Sequence, residues 1–430
     1  MAVVQARGTG ALALEALLPR LRSGGATVEL RGRHLVASWL NPRTALDAVA
    51  HLLGEDGHAG LAVGLDSLPW PEGRVEQGPE ALRALALCRA ASPGHAVVSE
   101  SAWLLSGAEP PENIAATVAD HVIGQLAEPE RVVIMRGLET AELPLRTVET
   151  VANNLPGQAM PLVGRRAELE GFISDPDWQV AVLTGAPGIG KTRLALRTAA
   201  ELLPELPGGA WLVDTGAAED KRDLVRMMAA TVIRPGREVE SVGELAGLLA
   251  DQPALVVLDR CEHLIDSAVE VVDALVRRGA CVRVLLTSRT RPTRKLSAGT
   301  RYRELMLGPL AVPPDGPLSA AQAARCESVE LFVDLARRST PPFRVDESNV
   351  DDVARLSRRL GGVPLAIEMV AAHTSAITPG RLLAEMDGIL GSTPSGPERD
   401  DLIEIIDWSY RLLGWPEREA YHALSVFAGG

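Results

Sequence analysis

Lysine is almost missing from this 430-residue chain: three occur, Lys191, Lys221 and Lys295, among 43 basic side chains. Arginine supplies the rest, and with Ala, Gly and Arg so abundant the chain reads as the product of a GC-rich genome, in which a lysine is a scarce choice. Cysteine is also rare. Its four copies (Cys88, Cys261, Cys281, Cys326) lack metal-ligand spacing and are too sparse for a disulfide framework, so all four read as buried thiols. No apolar run approaches the ~18 residues of a membrane span, and the N-terminus lacks a signal-peptide pattern. The expectation is a cytoplasmic protein with no membrane partner. Positive charge is in deficit as well: the net charge of −13 argues against a general nucleic-acid binder. A local basic cluster (Arg289, Arg291, Arg294, Lys295) reads first as a solvated loop after a strand.

What is present suits a soluble globular protein: 46% hydrophobic and 23% charged residues over a length that calls for two to four domains. Three composition breaks divide it. The stretch 136–161 holds Pro144, Asn153, Asn154, Pro156 and Gly157 without a sustained apolar period, and further breaks fall at 309–317 and 391–397. The expected pieces are 1–138, a linker at 139–157, then 158–310, 318–392 and 398–430. In the middle piece, short β-rich runs (180–184, 210–213, 254–258, 282–287) alternate with helical patterns, which predicts βαβ units and a mostly parallel sheet. From 319 to 387 helical periods dominate (Val329, Leu331, Phe332, Leu335; Val353, Leu356, Leu360), predicting a helical domain. The fold class expected is multidomain α/β.

One motif carries chemistry on its own. Gly185-Ala-Pro-Gly188-Ile189-Gly190-Lys191-Thr192 fits G-x-x-x-x-G-K-[ST], directly after a strand and before a helix. Glycines allow backbone N–H groups to turn inward around a β-phosphate, and the helix N-terminus adds a favourable field. Lys191 is placed to neutralise β/γ-phosphates, and the Thr192 hydroxyl to ligate Mg²⁺. About seventy residues on, Leu255-Val-Val-Leu258-Asp259 is an apolar strand ending in a carboxylate, so Asp259 is the second Mg²⁺ candidate, with a helix-capping Asp as the competing reading. Val284-Leu-Leu-Thr287-Ser288-Arg289 is a strand tipped with polar groups, where Arg289 is either a γ-phosphate sensor or a surface cation. The base is the open question. Arg260 follows Asp259 where many hydrolytic ATPases place a second carboxylate, and Glu262 either takes that role or starts a helix. Slow turnover is the expectation, which suits a switch better than a motor.

With these residues in place the segment from about 152 to 430 resembles the STAND signalling ATPases of the NB-ARC/AP-ATPase kind, as found in bacterial regulators of the LuxR or SARP sort. The matching words are Asn154-Leu-Pro156, Leu162-Val163-Gly-Arg165, the P-loop, Leu258-Asp-Arg-Cys-Glu-His263, Leu286-Thr-Ser-Arg289, Leu360-Gly-Gly-Val-Pro364-Leu-Ala, Asp407-Trp-Ser-Tyr410 and Leu424-Ser-Val-Phe-Ala-Gly429. The resemblance implies ATP or ADP with Mg²⁺. It places Val163 and Arg165 near the adenine, Ile189 and Arg193 among the nucleotide contacts, and Pro364, at a helix's first turn, against base or ribose. Family members often carry Asn or Asp at the Arg260 position, a departure that leaves water activation unassigned. The segment from 398 resembles the start of a winged helix, so the expectation is a fragment of a longer protein, with DNA contacted only through an output domain outside this chain and self-association on activation.

The first 138 residues resemble a class III nucleotidyl cyclase homology domain, on Gly25 to Trp39 as the family hairpin, Gly78 to Ala86 as its catalytic helix, His95 to Glu100 as the next strand and Pro129 to Val133 as the closing strand. The family's two metal carboxylates fall on Gln5 and Arg33, and its Asn and Arg at the triphosphate on Leu82 and Ala86. A cation at a metal-ligand position repels the metal. The domain is expected to be catalytically inactive and regulatory. An unrelated α+β module, an ATPase with sustained turnover and an active cyclase are the competing readings.

Overall fold

The computed structural model describes residues 2–7, 17–23, 25–31, 34–54, 61–67, 79–111, 113–121, 130–138, 140–141, 143, 145–147, 150–156, 162–174, 177–232, 239–340, 342–389 and 399–424. The expected break at 391–397, Arg33 and the apolar run after Leu424 lie outside them. By contacts the chain forms two units. One comprises 1–161, 167–182 and 195–304; the other comprises 162–166, 183–194 and 305–430.

The first unit opens with an α+β module. Its elements are β1 (Ala2–Arg7), α1 (Leu18–Ser23), β2 (Thr27–Arg31), β3 (His34–Trp39), α2 (Pro42–Gly54), β4 (Ala62–Ser67), α3 (Pro79–Ala90), β5 (His95–Ser99), α4 (Glu100–Leu105), β6 (Ile114–His121) and β7 (Glu130–Gly137). The seven strands form one sheet in the order β2-β3-β1-β4-β5-β7-β6. Only β4 and β5 pair in parallel; the other neighbours are antiparallel, and of these β2–β3 and β6–β7 join consecutive strands. One core cluster gathers Leu35, Trp39, Leu46, Val49, Val98 and Met135. A smaller one lies under α3 and joins Leu87, Ala90, Val97, Val132 and Leu145. Helix α3 seats closely on β4 because Gly64 has no side chain: a Cβ there would lie 2.2 Å from both the Ala84 carbonyl oxygen and the Cys88 nitrogen.

The expected linker is held by hydrogen bonds where it is described. The Arg146 N–H donates to Ala90 O at the end of α3. Asn153 bridges Ala210 in parallel, and the Asn154 side chain both accepts from Leu212 N (2.7 Å) and donates to Leu212 O (2.9 Å).

The same unit carries α5 (Arg166–Ser174, from 167 onward), β8 (Val180–Thr184), α6 (Lys191–Leu202), a 3₁₀ turn at Leu203–Glu205, β9 (Ala210–Asp214), α7 (Lys221–Val232), α8 (Val242–Leu248), β10 (Ala254–Asp259), α9 (Ile265–Arg277), β11 (Val282–Ser288) and β12 (Tyr302–Met306). The ends of β8 and β12 and the start of α6 run by chain continuity into the second unit. The sheet order is β12-β8-β11-β10-β9, and β10 pairs in parallel with both β9 and β11. The buried runs of β10 and β11 fit a sheet covered on both faces. β12 has no counterpart in the sequence reading: its five residues alternate between exposed and half-buried, the weak pattern of an edge strand.

In the second unit the helices are α10 (Ala320–Ala323), α11 (Glu327–Ser339), α12 (Val350–Arg359), α13 (Pro364–Ala371), α14 (Pro379–Ile389), α15 (Arg399–Leu412) and α16 (Trp415–Leu424). Helix α12 buries Val350, Val353, Ala354 and Leu356, one stripe at helical spacing, and packs on α14; α11 packs on α13. Ile405 of α15 is fully buried, and the Trp408 Nε1–H donates to Glu385 (2.9 Å).

The reading of four buried thiols needs correction. Cys88 and Cys261 are buried, but Cys281 is exposed and Cys326 intermediate. Cys281 lies in the turn entering β11, and Cys326 is the N-cap of α11, so neither is on an element's inward face.

Candidate nucleotide site

The P-loop lies in the second unit between β8 and α6. Gly188 and Gly190 take positive φ (71° and 94°), backbone that L side chains rarely adopt, which turns the loop around its own amides. The Lys191 ammonium donates to the carbonyls of Gly185 and Ala186, both at 2.9 Å, so it closes the loop at the first residue of α6. Ile189 is buried at 3% exposure, while Thr192 and Arg193 are half-buried in the helix's first turn. Amides at a helix start with one ammonium and one hydroxyl form a cradle for a polyphosphate.

Three other segments of the same unit close on this loop. Arg165, in a left-handed turn at φ 60° and only 5% exposed, donates from Nη2 to Ile189 O (3.3 Å) and Gly308 O (2.5 Å). Its own N–H donates to Glu327 Oε1 (3.1 Å), and the other oxygen of Glu327 accepts from Ala311 N (3.2 Å). Val163 is half-buried in the same turn. At the start of α13, the Leu365 N–H donates to Gly188 O (3.1 Å), and a Cβ on Gly188 would lie 2.7 Å from the Leu365 Cβ. Pro364 opens that helix, where the absent N–H costs nothing. Ten of the thirteen predicted site residues (Val163, Arg165, Gly185, Gly188, Ile189, Gly190, Lys191, Thr192, Arg193, Pro364) thus fall in one unit. Glu327 was not singled out in the sequence, and Leu365 only as part of the motif around Pro364. The only signal for Glu327 is an acid in a helix's first turn, favourable at any helix start.

The remaining three, Asp259, Glu262 and Arg289, lie in the first unit at the ends of β10 and β11. Asp259 is 8% exposed, and its Oδ1 accepts from the Thr287 hydroxyl (2.5 Å). That hydroxyl also accepts the Arg260 N–H (3.0 Å), while Thr215 donates to the Asp259 carbonyl (2.8 Å). The carboxylate is therefore held by Thr287 of β11, and the Asp259 backbone by Thr215 in the 3₁₀ turn after β9. Arg260 sits at φ 63°, left-handed for a residue with a full side chain. Its guanidinium is bound to Asp214, with Nε–Oδ1 at 2.7 Å. Burial pushes the Asp214 carboxyl up, but the Arg260 hydrogen bond and charge and the Gly216 N–H outweigh it and hold the group below its ordinary value. Asp214 in turn raises Arg260. Glu262 lies in the 3₁₀ turn Cys261–His263 and is paired with Arg289 (Nε–Oε1 3.0 Å). The two residues expected as base and phosphate sensor thus hold each other. Burial lifts the neighbouring Cys261 thiol to about 12, so it is no nucleophile.

Among the described residues no group of three or more His, Cys, Asp or Glu could hold a metal by itself. Mg²⁺ commonly takes one or two protein oxygens and fills its octahedron with phosphate and water, so the hydroxyl of Thr192 and the carboxylate of Asp259 are of the right chemistry for it, given a bound polyphosphate.

No family model matches the chain. An uncharacterized protein of Mycobacterium tuberculosis is 34% identical over 281 residues, covering 62% of this chain and 66% of that protein. A second protein of that species, whose name provisionally assigns it as an HTH-type transcriptional regulator, is 30% identical over 261 residues, 59% of this chain and 27% of the relative. The matched part of the chain thus spans just under two thirds of the first relative and about a quarter of the second. Among solved structures, the STAND protein with a tetratricopeptide repeat sensor from Pyrococcus horikoshii gives a TM-score of 0.39 at 18% identity, covering 62% of this chain and 35% of that one. An adenylate cyclase from Trypanosoma brucei gives 0.26 at 13% identity, covering 34% of this chain and 92% of that one. At these scores the likenesses decide nothing about activity. The chain is a mixed α/β protein with a parallel-sheet P-loop region and a helical C-terminal region.

Proposed function

We propose that this chain is the ATP/ADP-binding switch of a signalling or transcription-regulatory protein, with its N-terminal cyclase-like module catalytically inactive and regulatory. The observation that carries this reading is the bond from Leu365 N to Gly188 O, which ties the phosphate loop directly to the helical domain. A polyphosphate drawn into the loop accepts from its N–H groups and draws the Lys191 ammonium from the Gly185 and Ala186 carbonyls, so its presence bears on the loop whose Gly188 carbonyl holds that domain. Val163, Arg165 and Pro364 are the proposed base and ribose contacts, and Thr192 with Asp259 the Mg²⁺ ligands. Arg289 is the proposed γ-phosphate sensor, released from Glu262 when a triphosphate is bound.

Slow hydrolysis is part of the proposal. Among the described residues Arg260, beside Asp259, is committed to Asp214, and Glu262 is held by Arg289 until a triphosphate draws that arginine away, so water activation waits on that exchange. A ligand shifts such a switch only by its affinity difference between states, and a near-complete flip takes about 5.5 kcal/mol. DNA contact through a domain beyond these residues and self-association on activation belong to the same proposal.

Titration calorimetry of the chain with ADP and with ATP, each with Mg²⁺, tests the reading. Tight ADP binding by the wild type and a loss of at least about a hundredfold in Lys191→Ala are expected, the weight of a charge-assisted contact made in a preorganised loop. A Lys191→Ala chain that keeps wild-type affinity defeats it. Phosphate release at many turnovers per second would favour a continuously working ATPase.

A further inference from the structure

The N-terminal module holds a cation whose partners lie outside that module. Arg89, on α3, is 1% exposed and tops the fully buried side chains by volume among the described residues. Its Nη1 pairs with Glu201 (3.4 Å), its Nε with Glu205 (3.3 Å), and its Nη2 donates to Ile173 O (3.4 Å). Glu201 is on α6, Glu205 on the 3₁₀ turn after it, and Ile173 on α5. Glu201 is shared with Arg197 of α6, itself 3% exposed, at 2.6 Å. Two arginines and two glutamates thus neutralise each other in a nearly dry seam, all within the first unit. A buried cation deprived of its carboxylates is strongly destabilising, so the module's fold presupposes that α6 is present.

The residues around Arg89 fit the same purpose. Ala86 and Ala90 line a cavity of about 10 Å³ with Ala200, Glu201 and Pro204. Small side chains on both helices let them approach. Ala86 is also the position where the cyclase resemblance calls for the arginine at the triphosphate. A long basic side chain there would be driven into α6, so the residue type that removes the catalytic cation also opens the face for docking.

We propose that α3 of the N-terminal module is a docking surface for this chain's own α6, and that this grip restrains nucleotide release from the P-loop. Helix α6 begins at Lys191 and carries Glu201 in its last turn, so the lysine of the phosphate loop and the seam's carboxylate lie on one continuous helix. The release arm rests on the nucleotide-binding function proposed for the P-loop, whereas the docking arm does not.

The test uses the full chain in four forms: wild type, Arg89→Glu, Ala86→Arg, and an inverted cluster in which Arg89→Glu and Arg197→Glu are combined with Glu201→Arg and Glu205→Arg, so that every pair of the seam keeps opposite signs. Hydrogen exchange at residues 83–90 and 195–205 reads docking, with strands β10 and β11 as the control for intact fold; displacement of a fluorescent ADP reads release. Arg89→Glu and Ala86→Arg are each expected to speed exchange at both helices about tenfold or more and ADP release about fivefold, and the inverted cluster to recover part of both. Ala86 is half-buried at the edge of the smaller core cluster and leaves every charge of the seam in place, so Ala86→Arg remains informative if Arg89→Glu unfolds. Protection unchanged in both single variants overturns the docking. Freed helices with wild-type ADP release overturn the restraint. A wild type that holds no ADP overturns the nucleotide reading, and the exchange data still decide the docking.

Discussion

Two glycines show how differently the two sheets are used. Gly64 in β4 has nothing unusual in its backbone, yet a Cβ there would strike α3 at 2.2 Å. Gly190 in the P-loop has open space for a Cβ, with nothing within 4 Å, but its φ of 94° excludes an ordinary side chain. The first is glycine as a packing device, the second as a means of aiming amides. The α+β module uses its special residue to seat a helix; the P-loop region uses its own to turn the loop around its N–H groups, the arrangement on which the proposed nucleotide binding rests. Positive φ with open space is shared by turn glycines such as Gly25, Gly279 and Gly316, so it is the strand before, the helix after and Lys191 that set Gly190 apart.

Exchanging these constraints should separate the two roles. Gly64→Ala forces α3 off its strand, and overpacking against backbone is expected to cost the N-terminal module about 3 kcal/mol, read as a lower-temperature unfolding transition. ADP affinity should change only as far as undocking of α3 allows, so a hundredfold loss would contradict the division of labour. Gly190→Ala should do the reverse: about 1 kcal/mol of stability from the backbone penalty, but at least a tenfold weaker ADP binding by calorimetry, because the amides are no longer aimed.

Glu327→Ala leaves two N–H groups, those of Arg165 and Ala311, without their carboxylate. A loss of about 1–2 kcal/mol in the second unit and weaker ADP retention are expected, with Glu327→Gln in between because one oxygen remains. Equal ADP retention in all three forms would show that Arg165 is positioned by other contacts. Glu262→Gln sharpens the assignment of the base: a change in hydrolysis below about threefold fits a residue that only parks Arg289, whereas a hundredfold fall would make it the general base.

The smallest effect concerns acid. Burial holds His373 below the ordinary imidazole value, with Glu385 pulling the other way. A depressed imidazole favours the neutral form in the fold, so its contribution is present above the unfolded value of about 6.5 and is lost as pH falls through the folded one. The His373 ring stands 4.9 Å from Trp408 and its Nε2 lies 3.1 Å from the Ser409 hydroxyl. Protection factors at 403–409, which already account for the slower base-catalysed exchange in acid, should therefore fall on acidification, and His373→Phe should flatten that dependence.

Sequence distance governs how much of the site could be read in the chain. The P-loop was legible because its demands are local: positive-φ glycines, a strand before and a helix after, all within eight residues. Asp259 was legible as the last residue of an apolar run. Arg260 was singled out as a departure, but its partner Asp214 was not foreseen, being 46 residues away. Glu327 meets Arg165 across 162 residues, and Arg89 meets Glu201 across 112. No periodicity connects such pairs, and a buried arginine looks like any other in the sequence. The edge strand Tyr302–Met306 escaped for a different reason: half its residues face water, so it lacks the apolar run that marks the central strands.

The amino-acid order alone therefore determined the phosphate loop, the carboxylate at the end of β10, the alternation that builds a parallel sheet and the helical character of residues 319–387, because each depends on backbone preferences and apolar spacing over a few residues. Only the tertiary structure decided what those parts are tied to: Glu262 to Arg289, Glu327 to the turn at Arg165, Leu365 to the phosphate loop, and α3 to α6 through Arg89. Charges and amides removed from water must be matched wherever the chain happens to bring a partner, and that choice is made by packing rather than by neighbours in sequence.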